Sequence, residues 1–186
     1  MNEPFHPETT AQLLFRIRTG DTNAQEQLIQ RFLPKLQYWA HGRLPAHAKD
    51  LQETDDLVQN TLIRALGRIH EFESRGEGAF LAYLRQIMMN LVRDEVSKKR
   101  PVRVEEIPEI ADPSPGPSKM VLSAEQRERY EQGLKKLSEE QSQALIMRLE
   151  FGYSYAEIAQ AFEKPSADAA RMMVGRAIQA LARAMS

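Results

Sequence analysis

The chain has 186 residues, of which 42% are hydrophobic, and its formal net charge at neutral pH is −1. It contains no cysteine, and its four histidines are not paired at ligand spacing, which excludes a disulfide framework and argues against a metal site. No apolar run approaches the ~18 residues of a membrane span, and the N-terminus does not resemble a signal peptide. We therefore expect a cytoplasmic protein with no membrane contact, no metal and no cofactor.

Two amphipathic helices are predicted at the start of the chain. The first covers residues 10–20 and the second begins after Asp21 or Thr22, either of which can cap it. Apolar side chains recur at helical spacing in both. Pro34 lies inside the second pattern and predicts a kink or a break, because proline removes one backbone donor.

The next predicted helix, residues 53–69, carries charge and apolar residues on different faces. Thr54 is expected to be the N-cap, and Asp55 and Asp56 are expected to fill the first turn, where acids offset the positive end of the helix dipole. This anionic tip suits docking to a basic partner, although an ordinary capped surface helix has the same pattern. The apolar stripe consists of Leu57, Val58, Leu62, Ala65, Leu66 and Ile69. The solvated side holds Gln59, Asn60, Arg64 and Arg68.

A further candidate interface lies on a helix predicted for residues 80–100, after a polar loop with Gly76 and Gly78. Met88 and Met89 have the spacing of core residues. Amides and cations share a different face of this helix and could contact base edges and phosphates. The basic residues at its end favour that interpretation over a merely solvated face. This polar face comprises Gln86, Asn90, Arg93, Asp94, Ser97 and Lys98.

Residues 101–120 predict a linker, since they are rich in proline and acids and show no helical period. The chain would then consist of an N-terminal helical domain, residues 10–100, and a C-terminal one, residues 121–186, each under ~100 residues long. Cations cluster at the end of the first domain and in the last turns of the second. Two local basic surfaces on a nearly neutral chain suit two separate contacts with nucleic acid.

Residues 121–186 predict four helices. Capping boxes of the form S-x-x-Q at 138–141 and S-x-x-E at 154–157 start the second and the third. A turn at 163–165 and a cap at Ser166 precede the last, longer helix. A short helix, a tight turn and a longer basic helix are typical of a helix-turn-helix unit. The apolar face of the second helix is expected to contain Ala144, Leu145, Met147 and Leu149.

Four segments therefore follow one another: DDLVQNTLIRAL, FLAYLRQIMMNLVRDEVSKKR, the Pro-rich linker, and LSEEQSQALIMRLEFGYSYAEIAQAF with the recognition helix behind it. In order and spacing they resemble the extracytoplasmic-function (ECF) group of bacterial RNA polymerase sigma factors. The resemblance implies an all-α fold of two small helical domains joined by a Pro-rich linker, the C-terminal one a helix-turn-helix. It implies an alternative sigma factor that binds core RNA polymerase and directs promoter-specific transcription initiation.

The resemblance also implies roles for individual residues. The motif that docks on a coiled coil of the largest polymerase subunit matches Asp55, Asp56, Leu57, Gln59, Asn60 and Arg64. The part that reads and opens the start-proximal promoter element matches Ser74, Arg75, Tyr83, Gln86, Asn90, Arg93, Lys98, Lys99 and Arg100. The helix that enters the major groove of the upstream element matches Ser166, Ala167, Asp168, Arg171 and Arg176.

The expected partners are core RNA polymerase and promoter DNA, with an anti-sigma factor or a Ser/Thr kinase as regulators to consider. A phosphate on Thr54 would add about −1.5 to −2 charges beside the docking acids, whereas in the simpler interpretation Thr54 only caps its helix. No catalytic constellation emerges, because Asp55 and Asp56 are neighbours in one helix rather than carboxylates facing across a cleft. We therefore expect that the chain is not an enzyme.

Two other functions fit parts of the pattern. The first is a helix-turn-helix DNA-binding transcriptional regulator that acts without polymerase docking, which predicts a stable homodimer and a palindromic site. The second is an interaction protein that binds no promoter at all. The sigma-factor interpretation instead predicts a monomer that supports transcription initiation only together with core polymerase.

Overall fold

The fold was analysed in a computed structural model, which describes residues 8–43, 51–73, 76–98 and 124–185. All regular secondary structure in these ranges is helical, which confirms the all-α prediction. The N-terminal helices are α1 (Thr10–Arg18), α2 (Thr22–Arg43), α3 (Leu51–Gly67) and α4 (Glu77–Lys98). The C-terminal helices are α5 (Ala124–Lys135), α6 (Glu139–Leu145), a π-helical turn (Ile146–Glu150), α7 (Tyr155–Ala161) and α8 (Ala167–Met185). No helix in the described part of the chain is both long and apolar enough to cross a membrane.

Helices α1 to α4 pack around large side chains of α2 and α4. Phe32 and Phe80 meet edge to face with ring centroids 5.1 Å apart, and both are buried. Asp21 caps α2, since its Oδ1 accepts from the backbone N–H groups of Asn23 and Ala24. Helix α2 continues through Pro34, so the expected break does not occur.

Helix α3 differs from its prediction at the N-terminus. It begins at Leu51, so Thr54 is not the N-cap, and Asp55 and Asp56 lie beyond the first turn. Thr54 is only 2% exposed, and its hydroxyl has no hydrogen-bond partner among the residues that the structure describes. The buried stripe of α3 therefore runs through two threonines, and the three leucines lie half-buried at its flanks. The stripe consists of Thr54, Val58, Thr61 and Ala65, with Ile69 just beyond the helix.

The C-terminal capping boxes form as predicted. The Ser138 hydroxyl accepts from the N–H of Gln141, and the Ser154 hydroxyl accepts from the N–H of Glu157. Ser166 caps α8 in the predicted manner by accepting from the N–H of Ala169. These serines satisfy backbone donors that a helix start leaves unpaired.

The π-helical turn overturns one core prediction. An additional residue in the turn rotates the following side chains around the helix axis. Leu149, expected in the core, is therefore 41% exposed, whereas Ile146 and Glu150 are buried, the latter only 6% exposed. A charged residue thus occupies an interior position.

The helices before and after residues 99–123 pack against each other. Their buried apolar side chains form one continuous cluster, and α4 contacts both α6 and the π-helical turn. The predicted linker at 101–120 lies outside the described residues, and the division into two domains stays a prediction.

Candidate functional site

The docking residues predicted on α3 form one exposed strip. Asp55, Asp56, Gln59, Asn60 and Arg64 face solvent, and Leu57 is half-buried beside them. Asp55 Oδ1 accepts a hydrogen bond from Gln37 Nε2 at 3.3 Å. The carboxylates flank the helix instead of forming its tip, and a helix dipole acts mainly within the first turn. Their charge is therefore available to a partner that approaches α3 from the side.

The strip also contains Ile63, which sequence reasoning missed. Ile63 is 67% exposed and lies one turn beyond Asn60 and Gln59 on the same face. Ile63 lies two helical turns after Asp56, and this spacing could have predicted that both side chains share one exposed face. An isoleucine inside an apolar-rich helix is, however, easily assigned to the core. We call Asp55, Asp56, Gln59, Asn60, Ile63 and Arg64 the docking strip.

Four residues of the polar face predicted on α4 are described, and all four are exposed: Gln86, Asn90, Arg93 and Asp94. Gln86 Nε2 donates to Asn90 Oδ1 at 3.0 Å, and Arg93 Nη1 donates to the same oxygen at 3.3 Å, with all three side chains exposed. The structure thus brings two amides and a guanidinium together. The remaining predicted residues in this region lie outside what the structure describes: Ser74, Arg75, Lys99, Arg100 and the side chains of Ser97 and Lys98.

An aromatic cavity opens beside α4. The rings of Phe72 and Tyr83 stack with centroids 4.9 Å apart, and Phe72 meets Phe80 edge to face at 5.5 Å. Burial raises the pKa of the Tyr83 phenol above its ordinary value. Stacked rings beside polar groups are a typical platform for an unpaired base. The cavity measures about 500 Å³ and is lined by Arg68, Glu71, Phe72, Glu73, Ala79, Ala82, Tyr83, Glu139, Ser142 and Gln143.

Helix α8 exposes most of its predicted contacts. Ala167, Asp168, Arg171 and Arg176 face solvent, and Arg171 Nε lies 3.3 Å from Asp168 Oδ1. Met172, which sequence reasoning assigned to neither core nor contact, is 59% exposed on this face. An exposed apolar side chain among cations suits contact with a thymine methyl group.

A buried polar cluster was not predicted at all. Glu150 accepts hydrogen bonds from Trp39 Nε1 at 2.8 Å, from Arg85 Nε at 2.7 Å and from the Tyr130 hydroxyl at 2.9 Å. Arg85 also pairs with Glu131. Burial by itself would lower the pKa of Arg85, but the two carboxylates outweigh it and raise that pKa above its usual range. We call Trp39, Arg85, Tyr130, Glu131 and Glu150 the Glu150 cluster.

In the described ranges, His, Asp and Glu side chains nowhere form a group of three or more suited to a metal ion. The features brought together are instead an anionic strip, a polar face beside an aromatic cavity, and an exposed basic helix. Each of them suits a macromolecular contact.

Two family models match the chain in the same order as these features. Sigma-70 region 2 matches residues 28–102, and sigma-70 region 4 matches residues 127–181. The ECF sigma factor SigD of Mycobacterium tuberculosis is 27% identical over 165 residues, covering 87% of this chain and 77% of SigD. The sigma-H factor of Pseudomonas aeruginosa is 26% identical over 189 residues, covering 96% of this chain and 94% of that protein.

Solved sigma-factor structures are also similar to the chain. A chain of the RsbN–BldN complex is 22% identical, with a TM-score of 0.37, and the match covers 91% of this chain and 97% of that one. The sigma factor RpoE with the anti-sigma factor NepR from Bartonella quintana gives 23% identity, a TM-score of 0.36 and coverages of 86% and 95%. Because both sigma-70 regions match in order and ECF sigma factors align along most of its length, the chain belongs to the ECF group of RNA polymerase sigma factors and acts as an alternative sigma factor in transcription initiation.

Proposed function

We propose that the docking strip of α3 binds core RNA polymerase, that α4 captures the melted start-proximal promoter element, and that α8 enters the major groove of the upstream element. The observation that carries the proposal is the docking strip, where two carboxylates and two amides face solvent on one helix. Sigma factors are non-enzymatic initiation factors, so the chemistry of RNA synthesis belongs to polymerase. The site of action is then the cytoplasm, where polymerase works.

The docking strip fits a basic, elongated surface on polymerase. Its acids would steer association and fix orientation, since complementary charge acts mainly on encounter and specificity. Ile63 supplies the apolar contact that an interface centre needs once water is excluded. Gln59 and Asn60 can satisfy backbone or side-chain groups on either side of it.

Strand capture is supported by the arrangement around the aromatic cavity. Tyr83 and Phe72 offer stacking faces, and Gln86 and Asn90 on α4 offer both donors and acceptors. A base held out of the duplex would gain stacking and hydrogen bonds that the paired form cannot have. The strand held in this way would keep the promoter open.

For α8, we predict different effects of two arginines on one helix. Arg176→Ala should weaken holoenzyme binding to the upstream duplex and lower the salt slope by about 1, because a lost phosphate contact releases one counterion fewer. Arg183→Ala is the matched control, since Arg183 is exposed about two turns further along α8. Its replacement should change neither the affinity for the upstream duplex nor the salt slope. Equal losses in both variants would contradict the placement of the N-terminal half of α8 in the groove. The measurement is a titration of labelled promoter duplex at several salt concentrations.

The experiment that tests the whole proposal is in vitro transcription with core polymerase and a genomic DNA library. We expect defined start sites that require both core enzyme and this chain, and a monomer in solution when the chain is alone. A stable homodimer that binds palindromic duplex without polymerase, and that starts no transcript, would instead establish the helix-turn-helix regulator.

Thr54 is not accessible for phosphorylation in this structure. The Thr54 hydroxyl is buried inside the helix packing, so a kinase cannot reach it in this conformation. The helix-capping role expected of Thr54 is wrong as well. Control by an anti-sigma factor remains a prediction from the family resemblance, tested by co-purification of the chain with a regulator that prevents its binding to core.

A further inference from the structure

Gly175 lies in the middle of α8, where glycine is an unfavourable residue. Within a helix only proline is worse, because the glycine backbone loses the most conformational freedom on folding. A β-carbon built on Gly175 would lie more than 4 Å from every other part of the described chain, apart from its own stretch of helix. An alanine would therefore fit at this position without a clash and would favour the helix.

The glycine within α5 differs from Gly175 in this respect. A β-carbon on Gly133 would lie 2.8 Å from Leu181 Cδ1 and 3.0 Å from Met185 Cγ, so the packing of α5 against α8 requires a small residue there. Gly175 has no such neighbour, and it lies in an ordinary turn of α-helix that any residue can adopt. Nothing in the described part of the chain therefore calls for a glycine at residue 175.

Exposed apolar side chains lie on both sides of Gly175. Met172 and Ile178, one turn before it and one turn after it, are 59% and 44% exposed. Two exposed cations, Arg171 and Arg176, flank this part of α8. We call the surface formed by Met172, Gly175 and Ile178 the apolar slot. An apolar slot between cations fits a ligand that is anionic as a whole but apolar at one point.

DNA has such a point in its major groove. The phosphates along both walls carry the charge, and the C5-methyl of thymine is the apolar group on the base edges. A glycine inside a helix has its N–H and C=O engaged in the helix, so it offers the groove only van der Waals contact. Because it has no β-carbon, a methyl group can approach the helix backbone closely.

We propose that Gly175 is a specificity-determining residue, and that the apolar slot receives the methyl group of one thymine in the upstream promoter element. The inference rests on the proposed function, because it assumes that α8 enters the major groove of that element. Met172 and Ile178 enclose the methyl group from either side, so its burial favours thymine at this position. Burial of one methyl group corresponds to about fourfold in affinity. The glycine thus lowers the stability of α8 while it admits the methyl group.

The variant Gly175→Ala tests the inference through two effects of opposite sign. The free chain should unfold at a temperature about 2–4 °C higher, because alanine favours the helix. Holoenzyme formed with core polymerase should bind labelled promoter duplex about tenfold more weakly, because the new methyl group occupies the slot. Circular dichroism on heating gives the first value, and a titration at fixed salt gives the second. A purely structural role of the glycine would lower stability and affinity together.

Deoxyuridine in place of thymine identifies the base, since it removes the C5-methyl group and leaves the base pair intact. Each thymine of the upstream element that holoenzyme protects is replaced in turn. At one position the replacement should weaken binding of wild-type holoenzyme about fourfold. At the same position it should restore binding of the Gly175→Ala holoenzyme to within about threefold of wild type, because the alanine methyl then takes the place of the thymine methyl.

Ala182→Leu is the matched control, since residue 182 is exposed on the same face of α8 about two turns further along. This enlargement should leave the affinity for the promoter duplex unchanged. Two results would overturn the inference: Gly175→Ala holoenzyme that binds the promoter as tightly as wild type, or a loss of affinity that no deoxyuridine restores. Wild-type holoenzyme that protects no upstream element would instead refute the placement of α8 itself.

Discussion

Reversing both acids of the docking strip, Asp55→Lys with Asp56→Lys, should weaken capture of core RNA polymerase by roughly a hundredfold or more. Close charge pairs across an interface are coupled by about 1.5 kcal/mol or more each, and reversal adds repulsion to the lost attraction. Both carboxylates are exposed, so the fold should survive. The measurement is a titration of labelled chain with core enzyme, followed by transcription from the selected promoter.

The matched control for this variant is a second double reversal, Glu125→Lys with Glu128→Lys. These acids are exposed on α5, three residues apart and away from α3, and the net charge changes by the same amount. We expect core binding near the wild-type value for the control. If the α3 variant and the α5 variant lose equal affinity, the effect comes from total charge, and the docking strip has no special role.

Replacing Glu150 with glutamine should lower the free energy of unfolding by about 3 kcal/mol, because the buried Arg85 guanidinium then keeps only the more exposed Glu131 as a counter-charge. Arg85 remains charged in the variant, since its pKa lies far above neutral pH. Glutamine keeps the size of the side chain, so the loss reports charge rather than volume. Urea unfolding followed by circular dichroism gives the difference.

Glu131→Gln makes the same chemical change on the other acid that pairs with Arg85. Its side chain is more exposed, so water compensates part of the loss and the effect should be about 1 kcal/mol or less. The double variant Arg85→Met with Glu150→Met should be less destabilised than the sum of its single changes, because it removes both members of the more buried ion pair and leaves only the partly exposed Glu131 without its partner. Glu150→Gln with wild-type stability would mean that the cluster contributes nothing to folding.

The sequence contained enough information for the helices and for most of their starts, although α3 begins at Leu51 and not after Thr54. Helix formation and capping are local, so Ser138, Ser154 and Ser166 act through backbone groups three residues away. The exposed faces of α3, α4 and α8 also follow from helical periodicity, and the candidate docking and DNA contacts were predicted from the motifs they carry. Family membership rests on the same ordered segments.

The interior of the molecule depended on partners that are distant in the chain. Thr54 was assigned to a cap because threonine is polar, yet the packing around α3 encloses it. Glu150 would normally face solvent, but the π-helical turn points it at Trp39 and Arg85, which lie 111 and 65 positions away. The aromatic cavity likewise draws its walls from both halves of the chain. Periodicity and capping act over one or two helical turns, whereas burial of a charge depends on which distant groups can neutralise it, and only the packed structure brings those groups together.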